Sequence, residues 1–219
     1  KIVLLHPSDE MYGADKILLE VVSGLIDDWT VEVWLPDDLD YPGRELSSRL
    51  DESGVSVRRV PLPVIRRAYM HPSRFAWFAR RLFDSYRLLR AERPDAVYIN
   101  TSALAIFAPL CSILRIPSIV HVHEAFRGLE GSILSLILSP TQRVIAVSGD
   151  VVQRFRFGLK RKAIVVHNGI DISFRRPPQL DGQIVFLLAS RWNAWKGHAA
   201  LLDAWRQVRR NDARLVICG

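Results

Sequence analysis

The stretch AVYINTSALAIFAPLCSILRIPSIVHVH, residues 96–123, decides the fold. It opens with a short apolar run, Ala96 to Asn100, passes through a helical segment, Ala103 to Leu114, and returns to a second run, Ser118 to His123. Two short apolar strands separated by a helix-length crossover fit parallel neighbours, since antiparallel strands need only a turn between them. Strands this uniformly apolar imply a sheet covered on both faces. The helical segment is the longest apolar one, and with Pro109 and Ser112 inside it, it is too short to span a bilayer.

The same alternation extends in both directions. Upstream, Lys1 to His6 reads as a buried strand, and Ile17, Leu18, Val21, Val22 and Leu25 mark one face of a following helix. Val31 to Leu35 is a strand, Arg44 to Glu52 a short helix stopped by Gly54, and Val55 to Leu62 a third strand. Phe75, Phe78, Leu82, Tyr86 and Leu89 then recur at helical spacing before Arg93. Downstream come a helix through Ile133 to Leu138 and strands at Arg143 to Val147 and Ala163 to His167. The fold class is α/β, a doubly wound parallel sheet.

After Asp171 the chain turns polar and proline-marked, with Arg175, Arg176, Pro177 and Pro178, which places a domain boundary there. The expected division is a first domain at 1–176 and a second at 182–219, the latter formed by strand Ile184 to Ala189, helix Gly197 to Arg210 and strand Arg214 to Cys218. One βαβ unit leaves most of its surface uncovered, so the second part is expected to be the start of a larger domain.

The balance of 49% hydrophobic and 24% charged residues over 219 is that of a globular protein. No charged and apolar leader precedes the first strand, so a cytoplasmic location is expected, and the absent initiator Met suggests a trimmed start. Cys111 and Cys218 each sit in an apolar run without a metal or redox spacing and are expected to be buried. The net charge of +7 is concentrated: Arg58 to Arg93 holds ten arginines against Asp84 and Glu92.

Ligands of doubly wound sheets bind beyond the carboxyl ends of the strands, so the residues there are the ones to inspect. Gly13 and Ala14 stand at a helix entrance, either to let an anion approach free N–H groups or simply to make a tight turn. Neither GxGxxG nor GxxxxGK[ST] is present, which argues against NAD binding and P-loop chemistry. His121 and His123 share one face of a strand end followed by Glu124, as a catalytic pair or as histidines bonded to backbone. His167, Asn168, Gly169 and Asp171 follow a later strand as a site or a plain turn. Arg191 and Lys196 enter the last helix, placed to hold a diphosphate or only solvated.

The order of Gly13-Ala14, His123-Glu124, Val147-Ser148, His167-Asn168-Gly169-Ile170-Asp171, Ala189-Ser190-Arg191 and Lys196-Gly197-His198 resembles the GT4-like retaining glycosyltransferases of GT-B fold. The resemblance implies a nucleotide-sugar donor used as substrate, no cofactor and no metal. It implies that Gly13 and Ala14 approach the donor diphosphate, that His123 faces the transferred sugar as the catalytic residue, and that Arg191 and Lys196 hold the diphosphate. Glu124, Ser148 and Asn168 are further cleft candidates. The chain departs from the family pattern where Tyr12 replaces a glycine, Asp15 a glutamate, His167 a proline, and Glu124 the frequent aspartate. The family's paired glutamates would lie past Gly219, so this chain alone is expected to be inactive. A glycan or lipid-linked acceptor is expected, with Arg66 to Arg93 and their aromatic neighbours suited either to an anionic membrane surface or lipid-linked phosphate, or only to a solvated helix whose apolar face packs on the sheet. A non-catalytic sugar-nucleotide or carbohydrate-binding module is the alternative, and a basic nucleic-acid binder a weaker one, without an RNP, KH or helix-turn-helix pattern to support it.

Overall fold

A computed structural model describes residues 1–66, 74–126, 128–169, 182–190, 192 and 196–219. The chain divides into two compact units, Lys1–Ile170 and Asp171–Gly219.

In the first unit the strands are β1 (Ile2–Leu5), β2 (Val31–Pro36), β3 (Ser56–Val60), β4 (Ala96–Ile99), β5 (Ser118–Val122), β6 (Arg143–Ala146) and β7 (Ala163–Val165). All pair in parallel, in the spatial order β3-β2-β1-β4-β5-β6-β7. Helices α1 (Gly13–Ser23) and α2 (Glu45–Glu52) pack on one face, where Leu18, Val22, Leu46 and Leu50 bury against Leu4, Val33 and Tyr98. Helices α3 (Phe75–Glu92), α4 (Phe107–Leu114), α5 (Gly128–Leu138) and α6 (Gly149–Arg154) follow in chain order. Leu89, Phe107, Leu138 and Val151 from these four join Leu5, Ile99, Val120 and Val122 in the core of the opposite face. Strand alternation thus sends odd and even residues of one strand into two separate cores, the reason parallel strands read as unbroken apolar runs.

In the first unit two helices differ from the sequence expectation. The segment expected as one helix from Ala103 is a 3-10 turn at Ser102–Leu104 followed by α4 from Phe107. Pro109 is the cause: lacking an N–H and clashing with the preceding turn, it is tolerated only in a helix's first turn. Helix α6, not anticipated, starts where the Ser148 Oγ accepts a hydrogen bond from the Val151 N–H at 3.3 Å.

The described residues of the second unit form β8 (Ile184–Ala189), α7 (His198–Trp205) and β9 (Ala213–Cys218), with the strands parallel and in register from Ile184↔Ala213 to Ala189↔Cys218. Phe186 meets Trp205 edge to face, ring centroids 5.5 Å apart. Helix α7 is shorter than expected, beginning after the left-handed Gly197 and ending at Trp205. Cys218 is exposed, against expectation, because a two-stranded sheet with one helix cannot cover its own faces; Cys111 is buried, and burial pushes its thiol up to about 12.

Candidate functional site

The strand order reverses between β1 and β4, and the residues that end β1, β4 and β5 are polar: His6, Asn100 and His123. They continue the parity of Leu4, Tyr98 and His121, and so lie side by side on the face that α1 covers. His6, Asn100 and Asp15 are essentially fully buried, whereas His123 is half-buried at the rim.

Hydrogen bonds join the row end to end. Asp15 Oδ1 lies 2.7 Å from His6 Nε2 and accepts the Ser8 hydroxyl at 2.8 Å, while Oδ2 accepts the Tyr12 N–H that starts α1. The Asn100 amide nitrogen lies 2.8 Å from His6 Nδ1 and donates to the Ala14 carbonyl at 3.1 Å. Asn100 Oδ1 lies 3.2 Å from His123 Nε2. Burial alone would raise the Asp15 carboxyl, but the hydrogen bonds from His6, Ser8 and Tyr12 outweigh it and hold it below the usual carboxylate range. The same residue therefore caps α1 and anchors the row.

The two histidines of β5 have different environments. His121 is buried, its Nδ1 2.7 Å from the Tyr98 hydroxyl, and its Nε2 has no partner among the described residues. Its ring lies 4.1 Å from that of His123, tilted by 34°. Burial, then the neighbouring His123, pushes His121 down to about 4; burial, then His6, does the same to His123. Both imidazoles are neutral at pH 7.

Helix α1 begins at Gly13, where an added Cβ would meet nothing within 4 Å, so the glycine leaves open space beside its backbone. Its φ is not positive, which removes turn formation as the reason for glycine at this position. Ala14 contributes its carbonyl to Asn100. Glu124 is exposed and accepts the Ser102 hydroxyl at 2.9 Å. Ser148 caps α6. Asn168 is exposed beyond β7, an edge strand two places from β5, and beside it His167 Nδ1 meets the Val147 carbonyl at 3.1 Å. Lys196 belongs to the second unit and is exposed just before Gly197. Arg191 lies outside the described residues. In that unit Trp192 stacks on His198, with centroids 4.5 Å apart.

Next to the start of α1 is a cavity of about 260 Å³ whose wall includes Glu10, Tyr12, Tyr41 and Glu45. Buried Asp9 stiffens that wall by accepting from the Ser47 N–H and hydroxyl, each at 2.8 Å, and from Arg59. Arg66 reaches the Asp38 carboxylate at 2.9 Å and the Pro7 carbonyl at 2.7 Å. Arg81 donates to Asp37 and to the Leu62 carbonyl, and Arg58 to Glu92. Part of the basic stretch is thus internal framework, while Arg80, Arg87 and Arg90 line the outer side of α3 with exposed Phe75 and Phe83. Arg67 lies outside the described residues.

Sequence reading singled out His123, Gly13 and Ala14 and passed over His6, Asn100, Tyr98 and Ser102. The available signal was that three neighbouring apolar strands each end in a polar residue of the same parity. Among the described residues no group of three or more His, Cys, Asp or Glu side chains is placed to hold a metal ion, and no helix is long and apolar enough to cross a membrane.

A doubly wound parallel sheet with these polar residues at its switch point is the Rossmann-like domain of the GT-B architecture. The chain belongs to glycosyltransferase family 4, whose family model matches residues 12–174. It is similar in structure to HepE (Alr3699) of Anabaena solved with UDP and glucose, at 20% identity and a TM-score of 0.72, covering 99% of this chain and 60% of that one. The lipopolysaccharide outer core galactosyltransferase WaaB in its apo form matches at 13% identity and a TM-score of 0.64, covering 99% and 59%. The OtsA apo structure matches at 13% identity and a TM-score of 0.58, covering 99% and 64%. The chain therefore spans about 60% of the length of these structures. No curated protein sequence matches it.

Proposed function

We propose that this chain supplies the acceptor side and the opening of the donor side of a glycosyltransferase that moves a sugar from a nucleotide-sugar donor to a glycan or lipid-linked saccharide, with retention of configuration. The carrying observation is the juxtaposition at the switch point of the open start of α1, at Gly13, with half-buried His123 held through Asn100. The backbone N–H groups and the dipole at the start of α1 suit a diphosphate. In this reading Arg191 and Lys196 bring the cations that balance charge building on the leaving nucleotide, and His123 contacts the transferred sugar. HepE, of the same architecture, has been solved with UDP-glucose, which makes a UDP-sugar the first donor to try. The cavity beside α1 pairs tyrosine rings with carboxylates, a lining suited to the C–H faces and hydroxyls of an acceptor sugar. The family model and the HepE and WaaB similarities support the class of activity; donor, acceptor and stereochemistry belong to the proposal.

A location at the inner face of a membrane is a second element of this reading. It is favoured by the outer side of α3, where Phe83 stands among exposed Arg80, Arg87 and Arg90, as anionic headgroups over an apolar layer would require.

The test is an assay of a polypeptide extended through a complete donor-side domain, supplied with UDP-glucose and other nucleotide sugars. His123→Ala and Lys196→Ala are each expected to lower kcat by roughly 10²–10³ with the fold intact. Binding without turnover of any donor would leave a sugar-nucleotide-binding module. Neither binding nor turnover would overturn the reading.

A further inference from the structure

We propose that Asn100 sets the tautomer of His123, so that the ring carries its proton on Nε2 and offers Nδ1 as a hydrogen-bond acceptor to a hydroxyl of the donor sugar. The second half of this statement rests on the function proposed above; the first half stands on geometry alone.

The argument begins at the Ala14 carbonyl, which can only accept. It lies 3.1 Å from the Asn100 side chain, so the amide NH₂ must face it. The same nitrogen lies 2.8 Å from His6 Nδ1, and its second hydrogen makes that nitrogen an acceptor. His6 therefore carries its proton on Nε2 and donates to Asp15 Oδ1 at 2.7 Å. The amide oxygen is left pointing at His123 Nε2, 3.2 Å away, and a carbonyl oxygen beside a ring nitrogen requires N–H there. Every donation in the row then runs one way, from His123 through Asn100 and His6 to the Asp15 carboxylate.

Aligned hydrogen bonds polarise one another, and three of the four members are almost entirely out of water. The buried negative charge thereby makes His123 Nδ1 a better acceptor without protonating the ring. An amide in the middle passes no proton, so the row is a polarising and orienting device. Asn100, His6 and Asp15 are positioning residues. The titratable groups near His123 are His6 from β1, Asp15 from α1, Tyr98 from β4, and His121 and Glu124 from its own strand and the loop after it. Tyr98 is engaged with His121 and Glu124 with Ser102, so neither competes for Nε2.

The experiment is a long-range ¹H–¹⁵N correlation spectrum of the histidine rings of the 219-residue chain, titrated from pH 7.5 to 4.5. The expected result is an Nε2–H pattern for His123 across this range. In Asn100→Asp a carboxylate replaces the amide, and the His123 midpoint is expected to rise by about 1–3 pH units. An Nδ1–H or mixed pattern for His123 in the unmodified chain overturns the tautomer assignment without any variant, so a failure of Asn100→Asp to fold does not protect it. An unmoved midpoint in folded Asn100→Asp also overturns it. UDP-glucose added to the extended polypeptide is expected to shift Nδ1 of His123. If it binds and Nδ1 stays in place, the sugar-acceptor role falls while the tautomer stands.

Discussion

The first βαβ of the chain and the βαβ at its end share one recipe and reach opposite results. β1 is buried at every position, whereas four of the six residues of β8 are exposed. The strands are equally apolar, IVLL against IVFLLA, so hydrophobicity does not separate them. What differs is company: β1 has a paired strand on each side and helices on both faces, while β8 has, among the described residues of its unit, one strand partner and one helix. A two-stranded sheet cannot bury both its faces, and an apolar strand is only as buried as its neighbours allow.

The largest test of this contrast is core truncation in each unit. Leu5→Ala, in the fully buried core, is expected to lower stability by about 2–5 kcal/mol. Leu187→Ala, at a position 64% exposed, is expected to change it by roughly 0.5 kcal/mol or less. Hydrogen exchange reads both, with β1 and β4 amides opening near the global limit and β8 and β9 amides well below it. Equal protection in the two sheets would show that the second unit is covered in solution.

The contrast also explains what was legible in advance. Apolar strands alternating with helical segments announced the parallel sheet, because each strand end was marked by polar residues, glycine or proline. Burial was not legible, since Cys218 reads like Cys111 and differs only in its surroundings. The site was half legible for the same reason. His123 and Gly13 stand out locally, but Asn100 is 94 residues from His6 and 23 from His123, and no spacing along the chain foretells that pairing. Helix α6 escaped because six residues carry too little periodicity to register. The arginine stretch read as a single surface, yet Arg59, Arg66 and Arg81 are tied to Asp9, Asp38 and Asp37, acids that precede them by 50, 28 and 44 residues.

A second test uses protons, because the first unit holds two adjoining neutral imidazoles, one buried and one half-buried. His121, lowered from 6.5 to about 4, favours folding while both states are neutral, above about pH 6.5. As pH falls from there the unfolded chain takes protons first, and stability declines until the folded ring protonates near pH 4. The loss for His121 is on the order of 3 kcal/mol at the acid end, and smaller for half-exposed His123. Asp15, held below its ordinary value, contributes stability above about pH 4 that is lost only below it. The expected result is a urea midpoint for the first unit that falls from pH 6.5 to 4 and goes on falling below that as Asp15 is protonated, with His121→Phe flattening the upper part. A midpoint independent of pH above 4 would contradict the burial of His121.

The smallest effect on stability separates two kinds of exposed apolar surface. On β8 the exposed residues, Ile184, Phe186, Leu187 and Ala189, are all apolar; on α3, Phe83 is flanked by Arg80 and Arg87 one turn away on either side. A surface that lacks cover from its own fold should respond to truncation only through folding, whereas a surface shaped for anionic lipid should respond through binding. Arg87→Glu with Arg90→Glu is therefore expected to shift stability by roughly 0.5 kcal/mol or less, since neither guanidinium is tied to an acid among the described residues. The same pair is expected to abolish sedimentation with vesicles containing anionic lipid, and in the unmodified chain that sedimentation should weaken with salt. Leu187→Ala should leave it unchanged. If vesicle binding survives the charge reversal, or is absent from the start, the outer side of α3 is solvated helix, and its aromatic residues are exposed for the same reason as those of β8.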